Sequence, residues 1–266
     1  MYNFHVKLFD IFPEWFVLWI YPLVTLGLMA VMSVIFRKLL VSETHYDSDS
    51  NVVDTATQNT LSAAYVIMGF TLVLVMGSVD KYESNVVTEG TQIESLDRLL
   101  ILDASPEAAA MRRDLIRYTE SVIQDDWPKL TSGGSDITEV LTQTLSNHLK
   151  ALSPETPKQQ LLFSDIVSKT DEVIHSRELR LLSASGGLPV LFWTLSYLYL
   201  FGVAVICALR LSHATPMRII ALSTQITMLS LIFSAVMIID HPFQGETNIT
   251  SEPIKQALDS LKKSQP

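Results

Sequence analysis

The chain has 266 residues, 48% of them hydrophobic and only 18% charged, where soluble domains carry about 25% charged; disorder, a collagen-like repeat and a coiled-coil rod are excluded as global descriptions. Cys207 is the single cysteine, which excludes an intrachain disulfide scaffold and a zinc ribbon. With 19 basic and 28 acidic residues the net charge is -9, which argues against a nucleic-acid partner.

A hydrocarbon core needs about 20 apolar residues per spanning helix. Four windows qualify: 15–36, 61–79, 188–209 and 219–239. The first is too long and aromatic for a signal peptide, and Arg37-Lys38 closes it like a stop-transfer flank. Trp15, Trp19 and Tyr21 at its start suit an interfacial belt. Pro22 and Pro189 are expected near helix starts, where a missing N–H costs little.

The loop after the first span carries Glu43, Asp47, Asp49 and Asp54, read as solvated acids. Val86, Ile93, Leu96 and Leu100 keep helical spacing after span two. One helix from about 59 to 102 is expected, roughly 65 Å long, with Gly90 a weak point. Ser105-Pro106 opens a helix to about Asp126, Thr131–Ser135 is a turn, and a further helix covers 136–152. Thr156-Pro157 starts the helix that leads to span three, with Gly186-Gly187 as the joint. The predicted fold is therefore all-α: four transmembrane helices in two pairs, with an intervening soluble helical domain that extends spans two and three. The expected divisions are an N-terminal hairpin (1–79), an acidic helical domain (80–187), a C-terminal hairpin (188–239) and a tail (240–266).

Orientation follows from the short loops. Arg37, Lys38, Arg210 and Arg218 flank them, while the N-terminal flank offers Lys7 against Asp10 and Glu14. The positive-inside rule places both loops in the cytoplasm of a cell (inner) membrane, with the domain and both termini outside.

Several segments, in order, resemble the bestrophin-like domain family of bacterial and plant membrane proteins. One is the helix with Arg113, Leu115, Tyr118, Val122, Asp126 and Trp127; another is Arg177, Arg180, Leu181, Leu188-Pro189 and Trp193. The most specific is Asp240-His241-Pro242-Phe243-Gln244-Gly245. The resemblance implies a distant likeness to bestrophins, which are pentameric anion channels, and hence an ion-transport role in a homo-oligomer.

Each motif has two readings. Asp240 and His241 could form an ion or proton site at a pore mouth. Alternatively, Asp240, Pro242 and Gly245 end a helix that docks on the domain through Phe243, with Arg177 or Arg180 as the expected partner of Asp240. In span four, Ser223, Thr227, Ser230 and Ser234 share a face that could line a wet pathway or pack closely against a neighbour. Gln225 lies off that stripe and needs a partner in another helix or subunit. Gly69 and Gly77 lie near one face of span two and fit close helix contact.

No window contains an internal Asp, Glu, Lys or Arg, which counts against a proton-coupled pump and suits a passive pore or a structural bundle. His5, His45, His148, His175, His213 and His241 do not pair at metal-ligand spacing, and no nucleophile elbow or phosphate loop appears. No catalytic residue, metal or cofactor is expected. The partners expected are the bilayer, further copies of the chain and, for the acidic domain, a protein.

Overall fold

The computed structural model describes residues 12–39, 46–211, 215–245 and 248–264, the side chains of 46–50 excepted. Lys7, Asp10, His5, Glu43, His45 and His213 lie outside the described residues, as do the side chains of Asp47 and Asp49. The described secondary structure is all helical. In order, the helices are α1 (Glu14–Leu39), α2 (Tyr46–Asp103), α3 (Pro106–Ser121), α4 (Asp136–Ala151), α5 (Pro157–Ser185), α6 (Val190–Leu211), α7 (Pro216–Ile239) and α8 (Glu252–Lys263).

The chain divides into two compact units. The first is Met1–Val79 with Gly187–Thr247, and the second is Asp80–Gly186 with Asn248–Pro266. Four helices are long and apolar enough to cross a membrane.

In the first unit the core joins Val17 and Met29 of α1 with Ala64 and Met68 of α2, Val203 and Cys207 of α6, and Ile226 and Phe233 of α7. Tyr21, Trp193 and Tyr197 pack around Phe233 with ring centroids 5.1 to 5.7 Å from it. Leu23, Val24, Phe70, Val73, Leu191, Leu198 and Ile220 instead point outward and are exposed. Such a surface suits lipid rather than water.

Pro22 lies in the third turn of α1, not at its start. It cannot donate a hydrogen bond to the preceding turn, a defect that spanning helices tolerate when neighbouring groups compensate.

Helix α2 begins about three turns earlier than expected. No Gly or Pro interrupts the chain between Tyr46 and Leu61, and Thr55 and Thr57 bond back to Asn51 and Val53 within the helix. Asp54 is therefore a helical residue paired with Arg210 rather than a free loop acid. The helix also passes unbroken through Gly90. A Cβ there would lie 2.9 Å from the Pro253 carbonyl oxygen, so the glycine admits the start of α8.

In the second unit, Val86, Ile93, Leu96 and Leu100 of α2 are buried, as are Met111, Leu115 and Tyr118 of α3. Ser105 caps α3, its hydroxyl accepting from the Ala108 N–H at 3.1 Å. Thr156 and Gln159 close a capping box at the start of α5. Residues 240–266 are not simply a tail. Ile254, Ala257 and Leu261 fall on one face of α8 and are buried in this unit. Each large apolar side chain so buried contributes about 1.5–3 kcal/mol.

Candidate functional site

The second unit holds a buried ionic cluster. Arg177 and Arg180 are one helical turn apart on α5, on the same stripe as the buried Ile166, Thr170 and Val173. Burial obliges their guanidinium groups to find partners. Arg180 makes a two-pronged contact with Glu89 of α2, at 2.9 and 3.1 Å. It also donates to Asp126 at 3.1 Å, and its guanidinium carbon sits 5.4 Å from the Trp127 ring centroid. Arg177 donates to Asp126 at 3.1 and 3.2 Å and to Glu139 at 2.6 Å.

Local backbone geometry places Asp126. The end of α3 widens into a π turn over Val122–Asp126 and then tightens into a 3-10 turn over Trp127–Ser132. Gly133 and Gly134, both with positive φ, reverse the chain. The reversal aims the Ser135 N–H at Asp126, 2.7 Å away. Burial pushes the Asp126 carboxyl up, but the bonds from Arg177 and Ser135 and the nearby Arg180 charge outweigh this and hold it low. Burial drives the Tyr118 hydroxyl well up, reinforced by Glu89. Among the described residues that hydroxyl has no hydrogen-bond partner.

Arg113 is exposed and takes no part in this cluster. Glu89, Glu139 and Gly134 were not among the expected residues. Glu89 was legible, because an acid on the stripe of Val86, Ile93 and Leu96 is an acid on a buried face. The role of Gly134 was not, since it depends on a turn that packs against Asp126.

The expected pairing of Asp240 with Arg177 or Arg180 is corrected. Both arginines are engaged by acids of their own unit. Asp240 accepts the Leu188 N–H at 2.9 Å and the Trp193 indole N–H at 3.3 Å. The motif therefore ties the end of α7 to the start of α6. Pro189 precedes α6 and is exposed, while Pro242 is buried and Phe243 half-buried. Gly245 has φ +83°, and a Cβ there would collide with Glu14. Burial pushes the Asp240 carboxyl up to about 6. It lowers His241, against the opposing pull of the Met237 carbonyl.

Along α7 the hydroxyl stripe is turned largely inward. Ser230 is fully buried and lies 2.8 Å, hydroxyl to hydroxyl, from Thr25 of α1. Ser234 bonds the Ser230 carbonyl, and Thr227 bonds the Ser223 carbonyl. Ser223 and Thr227 are half-buried, and Gln225 is exposed.

These features define an all-helical, multi-pass membrane protein. The family model for the Bestrophin-like domain matches residues 15–254, so the chain belongs to the bestrophin-like family. A singly substituted bacterial bestrophin homologue from Klebsiella pneumoniae has a similar structure. Its TM-score is 0.65 at 14% identity, over 91% of this chain and 99% of that one. A second solved structure, described as a membrane protein, also scores 0.65 at 14% identity, over 91% and 97%. Another variant of the Klebsiella pneumoniae homologue scores 0.60 at 14% identity, over 92% and 99%. No curated protein matches the chain in sequence.

Proposed function

We propose that the chain is one subunit of a homo-oligomeric passive ion channel of the inner membrane, with anions as its favoured cargo and no catalytic activity. The observation that carries this reading is family membership over residues 15–254. The likeness to bacterial bestrophin homologues over most of the chain supports it. Two further features agree. The four apolar windows contain no internal charge, as befits a path with no proton relay or voltage sensor. The spanning helices also leave broad apolar faces open for lipid or further copies.

The test is chloride and potassium flux from liposomes that hold the purified, folded protein. Chloride flux above empty liposomes supports the reading. Ser230 is a poor probe, because it is buried against Thr25. Thr227→Val removes a half-buried hydroxyl with little change of shape. Reduced flux at unchanged oligomer mass would assign that face of α7 to the pathway. An absence of flux from folded protein would favour the second reading, a membrane-anchored interaction protein acting through its acidic unit. The exposed Ile137 and Val140 on α4 give that reading its surface.

Arg37, Lys38, Arg210 and Arg218 favour the cytoplasm for the short loops, with the acidic unit and both termini outside. Gln124 is exposed in that unit. Labelling of Gln124→Cys in a Cys207→Ser background by an impermeant thiol reagent on intact cells supports this orientation. Labelling only after permeabilisation reverses it.

A further inference from the structure

A cavity of about 660 Å³ opens in the first unit between the early turns of α2, the end of α6 and the start of α7. Its polar lining includes Asp54, Gln58, Tyr65, Arg210, Arg218 and Gln225. These residues come from three separate helices; Asp54, Gln58, Arg210 and Arg218 lie beyond the ends of the apolar windows, on the side of the lipid headgroups, and Tyr65 and Gln225 lie one to two turns inside them.

Among the described residues the charges lining this cavity do not balance. Arg210 is buried and paired through two nitrogens with Asp54, so that pair is neutral. Arg218 lines the same cavity, where among the described residues no salt bridge engages it and two arginines stand against the one aspartate. The Tyr65 hydroxyl donates to the Gln225 backbone carbonyl at 2.7 Å, which joins α2 to α7 across the floor. Among the described residues no hydrogen bond engages the side-chain amides of Gln58 and Gln225. Among the described residues the cavity therefore presents one cation in excess and two amide donors.

Its other walls are apolar. Leu61 and Leu222 line it, and Met217 and Ile220 stand exposed beside Arg218 on α7. A small inorganic anion has no use for such a surface, but an acyl chain does.

We propose that this cavity binds the phosphate of an anionic lipid headgroup, with Arg218 as the charged ligand, Gln58 and Gln225 as donors and the acyl chains against α7. The Arg210–Asp54 pair shapes the site without supplying its net charge. Arginine suits this task because its planar fork matches phosphate oxygens.

The experiment is native mass spectrometry of the delipidated protein in neutral detergent, titrated with phosphatidylglycerol, phosphatidylcholine and inorganic phosphate. The expected result is phosphatidylglycerol binding at least about tenfold tighter than phosphatidylcholine, the scale of one charge-assisted hydrogen bond. Arg218→Gln should abolish that preference, weakening phosphatidylglycerol more than phosphatidylcholine at unchanged oligomer mass, and Arg218→Lys should keep part of it. Arg218 is exposed, so these variants spare the core. A preference that survives Arg218→Gln overturns the proposal. Inorganic phosphate binding as tightly as the lipid would assign the cavity to a free anion instead. Disulfide formation between copies at Arg218→Cys in a Cys207→Ser background would assign it to a neighbouring subunit.

Discussion

Asp240 accepts hydrogen bonds from Leu188 and Trp193, yet among the described residues no cation pairs with it. Burial raises its pKa to about 6, above the unfolded carboxylate value of about 4. The folded state therefore binds the proton more tightly than the unfolded state. The stabilisation is complete below about pH 4 and is lost as pH rises through about 6. Asp240→Asn keeps an acceptor for the Leu188 N–H and cannot ionise. It should be more stable than wild type at pH 8 by on the order of 2 kcal/mol, with the difference vanishing near pH 4. Thermal melts in detergent from pH 4 to pH 8 check this, and parallel curves would contradict it. Arg180 behaves differently, because its partners are carboxylates buried with it. Arg180→Met should cost about 3–5 kcal/mol by stranding Glu89, and adding Glu89→Met should recover much of the loss. Chemical denaturation of the two variants measures both effects.

Among the secondary elements, the turn between α3 and α4 decides whether the ionic cluster can form. Gly133 and Gly134 both have positive φ, but only Gly134 is enclosed. A Cβ on Gly134 would lie 2.7 Å from the Asp126 carboxylate oxygen and 2.8 Å from Leu181, whereas a Cβ on Gly133 meets nothing within 4 Å. Gly133→Ala should therefore cost about 1 kcal/mol from backbone strain alone, and Gly134→Ala about 2–3 kcal/mol. Equal losses in denaturation would show that contact with Asp126 is unimportant. The caps of α3 and α5 were legible in Ser105-Pro106 and Thr156-Pro157, because capping depends on residues two or three apart. The early start of α2 and the helix α8 were missed. An amphipathic stripe as short as Ile254, Ala257 and Leu261 is stable only once a core receives it.

For the whole molecule, the proposed oligomer needs a face through which copies meet. Among the described residues, nothing outside the local helix lies within 4 Å of where a Cβ on Gly69 or Gly77 would stand, so neither glycine is packed against another helix of the single chain. If subunits pack through this face of α2, Gly77→Leu should lower the oligomer mass in light scattering without lowering helicity. An unchanged mass would place the subunit contact elsewhere. The candidate site was partly legible at this scale. Buried charges on apolar stripes announce that a partner exists, but not which of 18 acids between Asp80 and Gly187 it is. For that reason Asp240 was matched with Arg177 or Arg180 when its partners are a backbone N–H and an indole.

The amino-acid sequence alone determined the four spanning windows, the helical class, the acidic unit and the family. These depend on hydropathy and on spacings of a few residues, which are local quantities. Only the tertiary structure decided that Glu89, Asp126, Arg177 and Arg180 share one buried cluster. It also turned Ser230 towards Thr25 and set Arg218 in one cavity with the paired Arg210 and Asp54. Pairing between residues far apart in the chain, from 51 to 205 positions in these cases, is set by which faces the packed helices present to each other, and no local spacing encodes that.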